Sequence, residues 1–497
     1  MNNYDTIIIG GGLSGLQAAY ILAKEGQKVC VLEQHHTIGG CLQSFKRKDV
    51  FFDTGVHYIG SLDKNQVLYK YFKYFNLIDN IKYKKLDIDA FDVINYKNKE
   101  YKFAQGYDNF ADKLIKKFPN EKNGILAYIK KIQEIEQVFP LHNLKPLKTT
   151  LIPRDVLTIN TKAFIESVIK NKDLQNILAG NNALYAGVAD KTPFYMHALI
   201  TSSFIESSYR LVGGSQQLAD SLTESIKSFG GDVFVDKQVK EILTQGKQAT
   251  QVITKTGEVF SAKKFISAIH PANTLKMLKT NVIKKVYRNR INNLKNTSSM
   301  FILYAKLKKN KIKYLNYNYY KIFDNDVWNG YNYTNDNWPR GYLYVTPANT
   351  ESNKYADTLT ILSYMNFADV KKWENTTVGN RGNDYLEFKK QKAERLLNLT
   401  EKTFRGTISG IESYYTSTPL TYRDYTGTPD GSVYGILKDS NDPLPTFISP
   451  RTKIENLFLT GQNLNMHGVL GVTISSVATC SEILGSSYIL DKIKKAQ

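Results

Sequence analysis

The sequence predicts an α/β protein in which separated parts of the chain assemble one parallel sheet, with an α+β domain between them. Three observations predict this fold class. An apolar, β-branched run at 6–9 is followed by a glycine-rich turn, a helical run at 16–25 and a second strand at 28–32. Two further strand-like runs, at 264–269 and at 456–462, lie far from this unit in the sequence, and the second leads to a glycine. Irregularly amphipathic helical stretches separate these parts.

The turn after the first strand carries a dinucleotide-binding fingerprint. Gly10 allows a tight turn, Gly12 lets the backbone approach a pyrophosphate, and Gly15 lets the helix pack closely on the strand. Ser14 belongs to the same turn, and the N-terminus of the helix that follows offers free N–H groups and a partial positive charge to phosphates. Glu33 follows Gly15 by 18 residues and ends the second strand, where a carboxylate accepts hydrogen bonds from ribose hydroxyls.

Composition narrows the class of protein and its partners. The 497 residues allow two or more domains, and the net charge of +20 suits nucleic acid or an anionic membrane surface. The sequence contains no nucleic-acid-binding motif, so we expect no nucleic-acid partner. Cys30, Cys41 and Cys480 form neither a disulfide framework nor a metal cluster, which fits a reducing cytosol. With no signal peptide recognised, we expect a cytoplasmic protein that contacts the inner face of the membrane peripherally.

The segment after the second strand indicates the cofactor. Gly39 and Gly40 form a glycine pair after a short loop, and residues 52–60 have the sequence FDTGVHYIG. These stretches resemble the retinol saturase, carotenoid isomerase and phytoene desaturase family of FAD-dependent oxidoreductases, and FDTGVHYIG is most similar to the retinol saturases. The resemblance implies FAD, a Rossmann-like FAD-binding domain and a substrate domain on a mixed sheet. It also implies that Gly55 and Val56 lie beside the isoalloxazine.

The resemblance extends over nearly the whole chain and implies further binding positions. The backbone of Val239 would meet the adenine. Gly461 and Gln462 follow the last strand, at the second FAD motif of the family. Gly471 and Val472 open an apolar helix. The N-terminus of that helix would stabilise the negative charge that develops at the N1/O2 edge of a reduced flavin.

The predicted domains are discontinuous. The FAD-binding domain comprises residues 1–60, 209–280 and 451–497, and the substrate domain has a helical part, 61–208, and a sheet part, 281–450. The smaller elements that we predict within these parts include a hairpin of 252–254 with 258–260, separate from the strand 264–269, and strands at 300–307, 342–346, 359–365 and 408–415.

Two histidines are the candidate catalytic residues. His57 follows the segment expected beside the flavin, and His467 precedes the apolar C-terminal helix. Either could donate a proton to a polyene carbon or bind a head-group hydroxyl; the alternative is that each only packs beside FAD. The adjacent pair His35 and His36 does not converge on one ion, so we expect no metal site.

The resemblance favours an FAD-dependent oxidoreductase that acts on a carbon–carbon double bond of a conjugated polyene or another unsaturated lipid. A saturase is the first hypothesis, with hydride passing through flavin N5 and electrons from a transient NAD(P)H or another donor. A carotenoid desaturase or a flavin-dependent cis–trans isomerase is the alternative. An amine oxidase is less favoured, because Cys41 stands where those enzymes usually have Arg. A non-catalytic binder of prenylated proteins, similar to Rab escort proteins, is disfavoured by the retained phosphate loop.

Overall fold

The computed structural model describes residues 2–147, 152–348 and 354–496. The strands are β1 Asn2–Ile9, β2 Val29–Leu32, β3 Ser44–Arg47, β4 Val50–Asp53, β5 Ile59–Gly60, β6 Tyr83–Lys85, β7 Asp92–Tyr96, β8 Lys99–Phe103, β9 Ser208–Leu211, β10 Asp232–Phe234, β11 Val239–Gln245, β12 Gln248–Thr254, β13 Val259–Ser267, β14 Ser299–Leu307, β15 Asn318–Ile322, β16 Gly341–Val345, β17 Thr358–Met365, β18 Ile411–Ser417 and β19 Leu457–Leu459.

Helices cover the faces and ends of the sheets. They are α1 Leu13–Lys24, α2 Val67–Tyr74, α3 Tyr107–Lys117, α4 Lys122–Val138, α5 Arg154–Thr158, α6 Thr161–Val168, α7 Lys172–Leu178, α8 Phe194–Glu206, α9 Gln216–Ser228, α10 Pro271–Met277, α11 Lys285–Asn293, α12 Asn383–Thr403, α13 Thr407–Gly410, α14 Pro419–Thr426, α15 Gly468–Leu484 and α16 Ser486–Lys495. Short 3₁₀ turns occur at Gly40–Leu42, Pro119–Glu121, Pro140–Asn143, Asn182–Tyr185, Val327–Asn329, Phe367–Trp373, Pro429–Gly431 and Leu444–Thr446.

The first sheet has a parallel core in the order β10-β2-β1-β13-β19. Ile8 of β1 pairs with Val31 of β2 on one side and with Ile266 of β13 on the other, and Ile266 also pairs with Phe458 of β19. Ile8, Val29 and Val31 are buried in the core shared with α1, α9 and α15, whereas Ile7 and Ile9 are buried on the other face against β11, β12 and α10. The prediction that separated parts of the chain build one parallel sheet is confirmed for these five strands, and β12 and β11 extend the sheet in antiparallel pairing. The domain boundaries at 60, 208, 280 and 450 stay predictions.

Two strand predictions need correction. The stretches 258–260 and 264–269 are one continuous strand, β13, which pairs with β12 near its start and with β19 near its end. No glycine or proline interrupts residues 259–267, so the backbone stays extended while its partners change. The strand predicted at 408–415 begins only at Ile411, because Thr407–Gly410 forms a helical turn.

The second sheet is mixed, in the order β18-β14-β17-β16-β15-β7-β8. Its last two strands come from the segment 61–208, which we predicted as the helical part of the substrate domain. All five residues of β7 are buried, including Asp92 and Asn95, so it lacks the alternation of polar and apolar residues that marks a half-buried strand. The parallel pairing of β7 with β15 gives it a partner more than 200 residues away, which local patterns do not show.

The two faces of this sheet bury different cores. Met300, Tyr320, Leu343 and Leu362 belong to the core that the sheet shares with the helical layer around α8. Their strand neighbours belong to the core shared with α12: Phe301, Tyr319, Tyr344 and Ile361. The alternation follows from the two-residue period of a strand, and it aims one face of the sheet toward the nucleotide-binding loops. Among the described residues, no helix has both the length and the apolar character needed to cross a bilayer.

Candidate active site

The glycine-rich loop joins β1 to α1 in the geometry that the fingerprint predicts. Gly10 has φ of +100°, a conformation that favours glycine. A Cβ atom at Gly15 would lie 2.0 Å from the Gly10 carbonyl oxygen, so helix and strand can approach only without that side chain. A Cβ at Gly12 would have no atom within 4 Å, and Gly12 borders a cavity. The space at Gly12 is therefore available to a ligand that approaches the start of α1.

The carboxylate of Glu33 is placed beside this loop. Its Oε2 accepts a hydrogen bond from the Gly11 amide at 2.7 Å, and its Oε1 accepts one from the His35 amide at 2.9 Å. Burial raises the pKa of Glu33, while the backbone amides act in the opposite direction. The side chain is 7% exposed and lines the same cavity as Gly12, which suits a ribose acceptor.

The start of α15 forms another part of the cavity wall. Gly471 and Val472 line the cavity, and His467 occupies the N-cap position without a side-chain capping hydrogen bond. Ser475 binds both the amide nitrogen of Gly461, at 3.0 Å, and its carbonyl oxygen, at 3.1 Å. These bonds fix the helix against the end of β19, so its N-terminus is presented to the cavity.

A buried lysine holds the loop between β19 and α15. Lys438 Nζ donates to the carbonyl oxygens of Thr446 at 2.6 Å, Asn463 at 3.1 Å and Leu464 at 2.8 Å. Burial lowers its pKa to about 7. The sequence analysis missed this residue, because nothing in the local sequence marks Lys438 as buried.

One cavity joins the nucleotide-binding loops to the apolar face of the second sheet. It has a volume of about 380 Å³. Of the predicted site residues, those that line it are Gly10, Gly12, Ser14, Glu33, Gly39, Gly40, Gly55, Val56, His57, Val239, Gln462, His467, Gly471 and Val472. Gly15 and Gly461 lie behind this wall, where Gly461 approaches Ser14. The structure thus brings residues from three distant parts of the chain, 10–57, 239 and 462–472, to one cavity.

Both candidate histidines face this cavity as neutral rings. The ring nitrogens of His57 and His467 are buried and have no hydrogen-bond partner within the described residues. Burial lowers the pKa of His57 to about 4, with a further contribution from the positive charge of Arg210. Burial lowers the pKa of His467 to about 3, and its ring stacks on Tyr434 with centroids 4.2 Å apart. At neutral pH each ring can offer one N–H donor and one acceptor.

A hydrogen-bonded group of residues at the cavity was missed by the sequence analysis. The hydroxyls of Tyr58 and Tyr320 are 2.7 Å apart, both side chains line the cavity, and Tyr58 also donates to the buried carboxylate of Asp92. Tyr58 directly follows His57 in a segment that the sequence analysis did single out. Its partners could not be inferred, because they lie on β7 and β15.

The residues present fit a flavin dinucleotide. The open space at Gly12 and the N-terminus of α1 suit a pyrophosphate, and the Glu33 carboxylate suits a ribose. The uncapped N-terminus of α15 offers partial positive charge across the cavity, as a reduced isoalloxazine requires. The fit rests on side chains and backbone donors that already point into one space.

Comparison with known proteins decides the family. The family model described as flavin containing amine oxidoreductase matches residues 13–483. The chain belongs to this family. It is 26% identical to the all-trans-retinol 13,14-reductase of Danio rerio, over 99% of this chain and 88% of that protein. It is 24% identical to the chloroplastic prolycopene isomerase of Arabidopsis thaliana, over 98% and 84% of the two chains.

A solved structure of an oxidoreductase from Methanosarcina mazei superposes with a TM-score of 0.66 at 16% identity, covering 96% of this chain and 100% of that one. The predicted fold class is therefore confirmed, as are FAD as cofactor and the assignment to the FAD-dependent oxidoreductases.

Proposed function

We propose that this flavoenzyme reduces a carbon–carbon double bond of a conjugated polyene lipid. The observation that carries the proposal is the single cavity, which runs from the FAD-binding loops to the apolar face of the second sheet. Met300, Ile322, Leu343 and Leu362 line its far part, and such a wall favours a hydrocarbon chain over a small polar substrate. The similarity over nearly full length to an all-trans-retinol 13,14-reductase supports this substrate class.

Within this proposal the predicted site residues have distinct roles. Gly12, Ser14 and the start of α1 would hold the pyrophosphate, Glu33 the ribose, and Val239 the adenine. The isoalloxazine would lie between the Gly55–Val56 backbone and the start of α15. When bound, FAD supplies the hydride transfer, and the chain orients the lipid, excludes water and supplies the proton.

His57 and His467 would act as neutral groups. Because burial holds both pKa values well below 7, neither ring carries a proton that it could release as an imidazolium at neutral pH. Each N–H could instead donate a hydrogen bond to the flavin or to a polar end of the lipid. This assigns the histidines a binding role and leaves the proton to another group.

Cis–trans isomerisation of a polyene is the second candidate. It is favoured by the 24% identity to a prolycopene isomerase, which is nearly the value for the reductase. The same cavity would serve both reactions. They differ in whether the product gains a hydrogen pair or keeps the mass of the substrate.

An anaerobic single turnover tests the proposal. Purified, flavin-loaded protein is reduced chemically and mixed with all-trans-retinol or a carotenoid in detergent, while flavin absorbance and product mass are followed. Flavin reoxidation with a product that gains two hydrogens is the expected result. A shifted retention time at unchanged mass would move the assignment to an isomerase. If retinoids, carotenoids and extracted lipids all leave the flavin reduced and are themselves recovered unchanged in mass and retention time, both assignments are refuted.

A matched pair of variants tests the role of the cavity. Met300→Trp places a large ring in the apolar part of the cavity, where Met300 is 7% exposed. It is expected to keep FAD and to lose turnover of long polyenes. Leu126→Trp adds the same ring to the surface, where Leu126 is 45% exposed, and is expected to behave as the wild type. Equal turnover by both variants would contradict the assigned lipid path.

We also propose peripheral binding to anionic membranes and reduction by NAD(P)H or another transient donor. The net charge of +20 supports the membrane contact, because cationic surfaces bind anionic lipids. Co-sedimentation with anionic but not with neutral vesicles is the expected result. Anaerobic mixing with NADH or NADPH tests the donor, and flavin bleaching is expected with one of them; without bleaching, another donor is required.

A further inference from the structure

Asp92 is a fully buried carboxylate that borders the cavity only through other side chains. Its Oδ1 accepts from the Asn318 amide at 2.9 Å, and its Oδ2 accepts from the Asn181 amide and from the Tyr58 hydroxyl, both at 3.1 Å. The parallel pairing of β7 with β15 sets Asp92 directly opposite Asn318. The same register places Tyr320 two residues further along β15, on the cavity side.

The hydroxyls form an ordered chain from this carboxylate to the cavity. Tyr58 contacts both Asp92 and Tyr320, and the two tyrosines are 7% and 3% exposed. Each hydroxyl has one proton to donate. When Asp92 is ionised, Tyr58 donates to it and Tyr320 donates to Tyr58. When Asp92 is protonated, the direction of donation can reverse, and the Tyr320 hydroxyl is then free to donate its proton to a group in the cavity that this residue lines.

Both states of Asp92 are accessible near neutral pH. Burial raises its pKa to about 6, against the hydrogen bonds from Asn318, Asn181 and Tyr58. Burial also raises the pKa of the Tyr58 and Tyr320 hydroxyls well above their usual range. A proton that leaves Tyr320 therefore has to be replaced along the chain rather than leave a lasting phenolate.

Among the described residues, few other charged or titratable groups lie around the hydrogen-bonded series of Asp92, Tyr58 and Tyr320. Arg210 of β9 reaches it through the Asn318 side-chain oxygen, at 2.9 Å, and its positive charge favours the ionised form of Asp92. Tyr364 of β17 and Tyr434 face Tyr320. Asp92 is the carboxylate that raises the pKa of both the Tyr58 and the Tyr320 hydroxyl.

We propose that Tyr320 is the catalytic proton donor of this flavoenzyme, and that Tyr58 and Asp92 position its hydroxyl and resupply its proton; this rests on the proposed double-bond reduction. When bound, reduced FAD would supply the hydride to one alkene carbon and would itself be oxidised. The other carbon uses the displaced electron pair to take the proton of Tyr320, so that a C–H bond forms and the O–H bond breaks. The Tyr320 oxygen takes the Tyr58 proton, and Tyr58 takes the proton of Asp92.

Single-turnover kinetics of Tyr320→Phe and Tyr128→Phe test this assignment. Both remove a buried hydroxyl, but Tyr128 binds His197 in the helical layer, away from the cavity wall. With flavin-loaded, pre-reduced protein and all-trans-retinol, Tyr320→Phe is expected to slow reoxidation at least about 100-fold, and Tyr128→Phe less than about twofold. Equal rates for both variants, with active wild type, would overturn the proposal.

The pH profile provides a second test that a structural role would not satisfy. The wild-type rate is expected to fall as pH rises through about 6, where Asp92 loses its proton. Asp92→Asn is expected to remove this fall, because an amide cannot ionise. Tyr58→Phe is expected to slow turnover at least about tenfold and also to remove the fall in rate with rising pH. If Tyr320→Phe fails to hold flavin, Tyr58→Phe replaces it as the test. An unchanged profile in both variants would overturn the relay.

An infrared titration measures the protonation of the Asp92 carboxyl group without any turnover. A protonated-carboxyl band that disappears as pH rises through about 6, and that Asp92→Asn lacks, is expected in the flavin-loaded protein. Absence of this band would overturn the relay even if the enzyme reduces lipids. If the band is present but no lipid reoxidises the wild-type flavin, the proposed double-bond reduction is refuted, whereas the titration of Asp92 within its hydrogen-bonded series is retained.

Discussion

Replacing Gly12 or Gly15 by alanine should separate two roles of the glycine-rich loop, which are binding of the pyrophosphate at Gly12 and close packing of α1 on β1 at Gly15. Gly12 has φ of −75° and ψ of 177°, which any residue adopts, and no atom lies within 4 Å of a Cβ there. Gly12→Ala is therefore expected to stabilise the apoprotein by about 0.4–1 kcal/mol through reduced freedom of the unfolded chain. Its methyl group enters the space assigned to the pyrophosphate, so the Kd for FAD should rise at least about tenfold, or about 1.4 kcal/mol.

Gly15→Ala should give the opposite pattern. Its Cβ would lie 2.0 Å from the Gly10 carbonyl oxygen, a backbone atom, so α1 would have to move away from β1. Overpacking of this kind costs about 1–3 kcal/mol of unfolding free energy. The loss should appear in the apoprotein itself, before any ligand is added.

Two measurements check this pair. Fluorescence titration of the apoproteins with FAD gives the Kd, and chemical denaturation followed by tryptophan fluorescence gives the relative stability. If Gly12→Ala binds FAD as the wild type does, the pyrophosphate does not lie against Gly12. If Gly15→Ala is as stable as the wild type, the close approach of helix and strand is not required.

Three further predictions concern buried charged and titratable groups. Burial raises the pKa of Asp92 from 3.8 to about 6, so the folded state binds this proton more tightly than the unfolded state does. The free energy of unfolding of the wild type should therefore fall as the pH rises from 3.8 to about 6. Denaturation midpoints measured across this range should show no such fall for Asp92→Asn. Arg210→Lys should lower the free energy of unfolding by about 3 kcal/mol in chemical denaturation. The three N–H donors of a lysine ammonium cannot replace the guanidinium, which binds the carbonyl oxygens of Leu315 and Thr346 among other acceptors. An unchanged denaturation midpoint would refute this. His57 and His467 should stay neutral down to about pH 5 in NMR of histidine-labelled protein, and a titration near 6.5 in either ring would contradict their burial.

Local sequence was sufficient to predict a site residue where the residue types and their spacing within one segment indicate its role. The loop at Gly10–Gly15, the carboxylate of Glu33 and the helix that starts after His467 each follow from contiguous residues, and each lies at the cavity or directly behind it. Glycine positions have a purely local cause, because a missing Cβ permits a close approach regardless of the rest of the fold.

Local sequence failed where a residue's role depends on a distant partner. Asp92 is a buried proton-binding group only because β7 pairs in parallel with β15. Lys438 is buried because carbonyl oxygens of Thr446, Asn463 and Leu464 surround its ammonium group. Neither short segment differs in composition from a surface strand or loop.

The sequence by itself determined the βαβ unit and the dinucleotide loop, because periodicity and backbone sterics act over a few residues. Only the tertiary structure decided which groups are desolvated together. It buried His57 and His467 as neutral rings, and it connected Asp92 to the cavity through two tyrosines. Desolvation and hydrogen bonding shift pKa values, and both depend on neighbours that meet only in the folded chain.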